Sequence, residues 1–76
     1  MALASAPRSG LSLTPRQREV VELRLRRLGR REIAHRLGIS PETVRAHLDD
    51  ARECNGVSDE LELLLVADRE MAAAQA

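Results

Sequence analysis

The sequence contains no phenylalanine, tyrosine or tryptophan. Any core must come from Leu, Val, Ile, Ala and Met, and a chain of 76 residues is near the lower size for a self-sufficient core. Self-association would offset that shortage. Cysteine is nearly absent: Cys54 alone cannot form an intramolecular disulfide and suits a reducing compartment. No apolar run reaches the length that spans a bilayer, and the N-terminus lacks the apolar stretch of a secretion signal. The expected location is cytoplasmic.

Catalytic and metal-binding groups are also scarce. His47 and Cys54 are seven residues apart on one helical pattern, but no third group orients them and no Gly-rich loop is present. His35, His47 and Cys54 offer at most three ligands, at spacings unlike a zinc module. The chain is read as neither an enzyme nor a metalloprotein, without a cofactor, and Cys54 is expected to be buried or half-buried.

Lysine is missing too, so arginine supplies every cation other than histidine. The net charge of zero conceals an asymmetry: residues 1–48 carry ten Arg against four Glu, a balance of +6, and residues 49–76 carry −6. A basic front half suits a polyanion, and the acidic back half opposes one or faces something else.

The most informative stretch is Glu32 to Leu48, E-I-A-H-R-L-G-I-S-P-E-T-V-R-A-H-L. Ile33, Ala34 and Leu37 form one apolar side of a short helix, and Gly38 is placed to end it in the left-handed conformation. Ser40 then caps a second helix with Pro41 at its first position, while Ile39 and Val44 are spaced to staple its entry. Two helices so closely joined, with a small Ala34 between them, describe a helix-turn-helix, whose second helix enters a DNA major groove.

Around that motif run Leu13-Thr14-Pro15-Arg16, Arg18-Glu19-Val20, Glu32-Ile33-Ala34, the block from Leu37 to Val44, His47-Leu48 and Gly56-Val57-Ser58. In this order they resemble the LuxR-type (GerE-like) DNA-binding domain over roughly Leu13 to Ala67. Glu22-Leu23-Arg24 and Ala51-Arg52-Glu53 resemble region 4 of a sigma factor, which stands second. The resemblance implies an all-α, four-helix LuxR/GerE-type helix-turn-helix domain over residues 13–72. A disordered arm over residues 1–12 is expected before it, and a frayed end over 73–76 after it.

Along the domain, Thr14, Pro15 and Gln17 form a capping box for a first helix running to about Arg27. Arg24 falls inside its apolar arc, where the family has an apolar residue; snorkelling of its stem is expected, with a buried ion pair as the alternative. Gly29 caps the second helix, opened by Arg30 and Arg31. The third spans Pro41 to about Cys54 and turns Val44, Leu48, Ala51 and Asn55 inward, with His47 at the margin. Ser58 caps a fourth helix over Asp59 to about Ala72. Its residues Leu63, Leu64, Ala67 and Met71 close the core, leaving Leu61, Leu65 and Ala72 as a dimer face.

The resemblance implies a stand-alone transcriptional regulator that binds double-stranded DNA as a homodimer through the fourth helix. No receiver or ligand-binding domain fits in the chain, so control is expected from its level, dimerisation or a partner. Arg30, Arg31, Thr43, Arg45 and Arg52 are candidates for phosphate contact, with Arg16 a further one. Arg45, Ala46 and Asp49 match the base-reading positions, and Ser40 and His47 belong to the same surface. The acids Asp49, Asp50 and Glu53 stand against this reading, because LuxR-type domains carry neutral or basic residues there. Two other readings therefore stand beside it: a protein-interaction module that binds a sigma factor or another regulator, and a sigma-region-4-like piece that contacts promoter and RNA polymerase.

Overall fold

The computed structural model describes residues 11–75 of the chain. Four helices account for most of them: α1 (Pro15–Leu25), α2 (Arg30–Leu37), α3 (Pro41–Asn55) and α4 (Glu60–Gln75). The described residues contain no strand. The fold is the expected all-α helix-turn-helix.

Each helix start follows from its own residues. Thr14 Oγ1 accepts the Gln17 N–H and Gln17 Oε1 accepts the Thr14 N–H, both at 3.1 Å, so the capping box closes and buries Gln17 with its polar atoms satisfied. Ser40 Oγ accepts the Thr43 N–H at 3.0 Å, with Pro41 in the first turn. At the fourth helix the cap is Asp59, not the expected Ser58. Asp59 Oδ1 accepts the Glu62 N–H at 2.9 Å, while Glu62 Oε1 reaches back to the Ser58 N–H at 3.3 Å. A carboxylate is the better partner for the positive end of the helix. The helical backbone also continues past Ala72, to Gln75.

The first helix stops at Leu25, short of the expected Arg27, because Arg27 takes a φ of 72°. The Arg27 N–H returns to the Arg24 carbonyl at 2.9 Å and the Leu28 N–H to the Leu23 carbonyl at 3.3 Å. That is a Schellman ending with arginine where glycine is usual. A β-carbon costs roughly 1–2 kcal/mol in this conformation, against the roughly 0.5–1 kcal/mol that glycine's greater unfolded freedom costs. Relief of the strain is the larger effect, so Arg27→Gly should raise the melting temperature by a few degrees, at about 4–8 °C per kcal/mol. A lower melting temperature in a thermal scan would refute this account. By contrast, Gly38 at φ 70° is the residue type its position requires, and the Gly38 and Ile39 N–H groups both turn back to the Ala34 carbonyl.

All four helices contribute to one cluster: Val20 and Val21, Ile33 and Ala34, Val44, Leu48 and Ala51, and Leu63 and Ala67. Ile39, Leu64 and Met71 are among the half-buried residues packed against it. The expected division of α4 is found, with Leu63 fully buried and Leu61 and Leu65 at 66% and 56% exposure.

Polar contacts tie the edges of this core. Arg24 neither snorkels free nor is buried: its Nε donates to Glu60 Oε2 at 2.8 Å and its Nη1 to the Leu28 carbonyl at 3.3 Å, both partners of the ion pair about a third exposed. The pair joins α1 to α4. Asn55, expected to turn inward, is half-buried and outside the core cluster, and it holds the segment that precedes α1. Its side chain accepts the Ser12 N–H at 2.6 Å and donates to the Ser12 carbonyl at 3.1 Å and the Ala51 carbonyl at 2.7 Å. Leu11 packs against the cluster. Leu11 and Ser12 thus belong to the domain and not to an arm; residues 1–10 of the expected arm lie outside the described residues.

Candidate nucleic-acid interface

The second and third helices bury one face each and leave one open surface between their other faces. Ile33 and Ala34 of α2 and Val44, Leu48 and Ala51 of α3 point into the core. Ala34 matters here, since a larger side chain would force the helices apart. The α3 stripe leaves Glu42, Thr43, Arg45, Ala46, Asp50 and Glu53 exposed, with His47 half-buried at its edge. Cys54 is exposed, contrary to expectation, because it lies about a quarter-turn from the centre of the buried stripe.

Arg30 and Arg31, at the start of α2, come together with Arg45 of α3. With Pro41 and Glu42 they line an open cleft of about 240 Å³. Arg30 and Arg45 also border a second cleft of about 290 Å³, lined further by Leu48, Asp49, Arg52, Asp59 and Glu60. Three cations from two helices therefore share one surface at the first turns of α3. Ser40 and Thr43 line neither cleft; both are exposed at the start of α3, their hydroxyl oxygens 2.8 Å apart, with the Ser40 oxygen engaged as the cap. Arg16 is placed elsewhere, in an exposed pair with Glu19 at 3.0 Å.

The acids behave differently from one another. Asp49 Oδ1 accepts Arg52 Nη2 at 2.8 Å, and Asp49 Oδ2 lies 3.8 Å from Arg45 Nε. The Arg52 hydrogen bond holds the Asp49 carboxyl below its usual range, desolvation opposing and the charges of Arg52, Arg45 and Arg30 assisting. Because the folded carboxyl is the stronger acid, the ion cluster is intact at neutral pH; it is lost as pH falls below the usual carboxylate range. Arg52 Nη1 donates to the Ser58 carbonyl at 2.9 Å, so this arginine braces α3 against the following loop. Among the described residues Asp50 and Glu53 have no ion-pair partner. The four-residue spacing of Arg45 and Asp49 made their pairing legible in the sequence, whereas the Arg52 bonds to Asp49 and to the Ser58 carbonyl were missed, although the i+3 spacing was a signal for the first.

The family model for sigma-70 region 4 matches residues 11–54. The chain belongs to the sigma-70 region 4 family. Region 4 is a helix-turn-helix domain of the DNA-binding class, and the match covers α1, α2 and nearly all of α3, ending before α4. The sequence reading had placed this family second, behind the LuxR type. No curated protein and no solved structure matches the chain significantly. Among the described residues, no helix of this region 4 domain is long and apolar enough to cross a membrane, and no three His, Cys, Asp or Glu side chains are grouped to hold a metal ion.

Proposed function

We propose that this region 4 domain is a transcriptional regulator that seats the N-terminal half of α3 in the major groove of double-stranded DNA. The observation that carries the reading is the convergence of Arg30, Arg31 and Arg45 on one open face beside the first turns of α3. Arg30 and Arg31 suit phosphates, Arg45 suits a guanine edge or a phosphate, and Ala46 suits a thymine methyl. Asp50 and Glu53 lie beyond these turns and limit the depth of insertion. Incubation with fragmented genomic DNA should retain fragments that share a short motif on sequencing. No retention at low salt would refute DNA binding.

The family match supports a second reading, a promoter and RNA polymerase contact of the kind a sigma factor makes. The unpaired Asp50 and Glu53 favour a protein partner for the far end of α3. A retained protein complex that outlasts high salt, with no DNA retained, would decide for it.

The same proposal includes a homodimer through α4. Gly56-Val57-Ser58 and a helix outside the region 4 match support the LuxR-type arrangement, in which the fourth helix pairs. Leu61, Leu65 and Ala72 make an exposed stripe on it. Leu65→Glu should then give a folded monomer with weaker DNA binding, because two half-sites would no longer be held together. Sedimentation showing the parent chain monomeric at high concentration would exclude the dimer.

A further inference from the structure

We propose that Asp49 is a positioning residue that aims Arg45 at DNA, and that it neither reads a base nor repels the phosphate backbone. The inference rests on the DNA-binding reading above. It starts from the placement of the carboxylate between two guanidiniums of its own helix, Arg52 at 2.8 Å and Arg45 at 3.8 Å. Arg45, Asp49 and Arg52 are spaced by four and three residues, so one side of α3 carries them as a row.

The row is anchored at one end only. Arg52 is braced by its bond to the Ser58 carbonyl at 2.9 Å, and its side chain is 29% exposed. Arg45 is 68% exposed and turns Nε toward Asp49. That leaves its two terminal nitrogens for a ligand, and these nitrogens allow a bidentate contact with a guanine edge or a phosphate. A long side chain loses rotamer freedom when it is fixed by binding, so holding Arg45 beforehand reduces the loss. The row also carries a net charge of +1, so the acid that stands against a groove in the bare sequence is outweighed by the arginines beside it.

The test uses duplexes recovered by the parent protein from a random-sequence DNA pool. Asp49→Ala should weaken binding to them by about two- to fivefold, the range for an exposed ion pair, and Arg45→Ala by at least as much. The double variant should bind no worse than Arg45→Ala alone. Reselection with each single variant should lose preference at the same base pair, an outcome that a purely structural role for Asp49 would not produce. Asp49→Glu should recover part of the loss. If Asp49→Ala melts early, Asp49→Asn takes its place in the cycle, since it keeps an acceptor oxygen while removing the charge.

Tighter binding of Asp49→Ala to all duplexes would mean repulsion and would overturn the proposal. Additive losses, or a change at a base pair that Arg45 does not govern, would mean direct reading and would also overturn it. In each of these outcomes DNA binding itself stands. Absence of salt-sensitive retention by the parent protein would instead remove the DNA-binding reading, and the positioning role with it.

Discussion

Raising salt from about 50 to 200 mM should weaken DNA binding by about 10²–10³-fold, because each neutralised phosphate releases counterions and contributes about −0.9 to the logarithmic slope. The range corresponds to phosphate contacts from Arg30 and Arg31 of both protomers of the proposed dimer, with Arg45 of each added at its upper end. Replacing Arg30 and Arg31 by alanine should then flatten the slope by about one for each contact removed. The same replacement should leave the fold intact or strengthen it. Two cations at the start of α2 oppose the helix dipole, at about 0.3–1 kcal/mol each, so their removal favours the helix. Loss of binding together with an unchanged or raised melting temperature separates function from stability. An unchanged salt slope in the double variant would take these arginines out of the interface.

Leu63→Ala should destabilise the domain by about 2–5 kcal/mol, the range for emptying a buried leucine site. Leu63 is fully buried where α4 closes the core, and no aromatic side chain is present to fill the space. A domain of this size holds about 4–11 kcal/mol in total, at about 0.05–0.15 kcal/mol per residue. The variant should therefore melt at least about 8 °C lower, or not fold at all. Leu61→Ala, at a site 66% exposed, should change monomer stability by no more than about 0.5 kcal/mol. A loss from Leu61→Ala that grows with protein concentration would instead report the dimer, since association raises apparent stability. Equal losses from both variants in dilute protein would refute the division of α4 into a core arc and a surface arc.

The sequence by itself determined the helices and the motif. Thr14 with Gln17, Gly38, and Ser40 with Pro41 act within one turn of their own positions, so their effects are readable without knowing where anything else lies. The apolar spacing of α3 and α4 likewise placed Val44, Leu48, Ala51, Leu63 and Ala67 inside, because helical period alone assigns a face. Convergence of Arg30, Arg31 and Arg45 followed from the short turn between two helices.

Only the tertiary structure decided the rest. Ser12 and Asn55 are 43 residues apart and meet because the segment just before α1 lies beside the end of α3. Arg24 and Glu60, 36 residues apart, pair because α1 and α4 lie side by side. The left-handed turn at Arg27 goes against its residue's own preference, which favours continuing the helix. The acid on α3 changes meaning for the same reason as these contacts. A formal charge is a property of one residue, but what Asp49 presents to a ligand depends on Arg45 and on Arg52, and Arg52 is held in place by the carbonyl of Ser58 in the next loop.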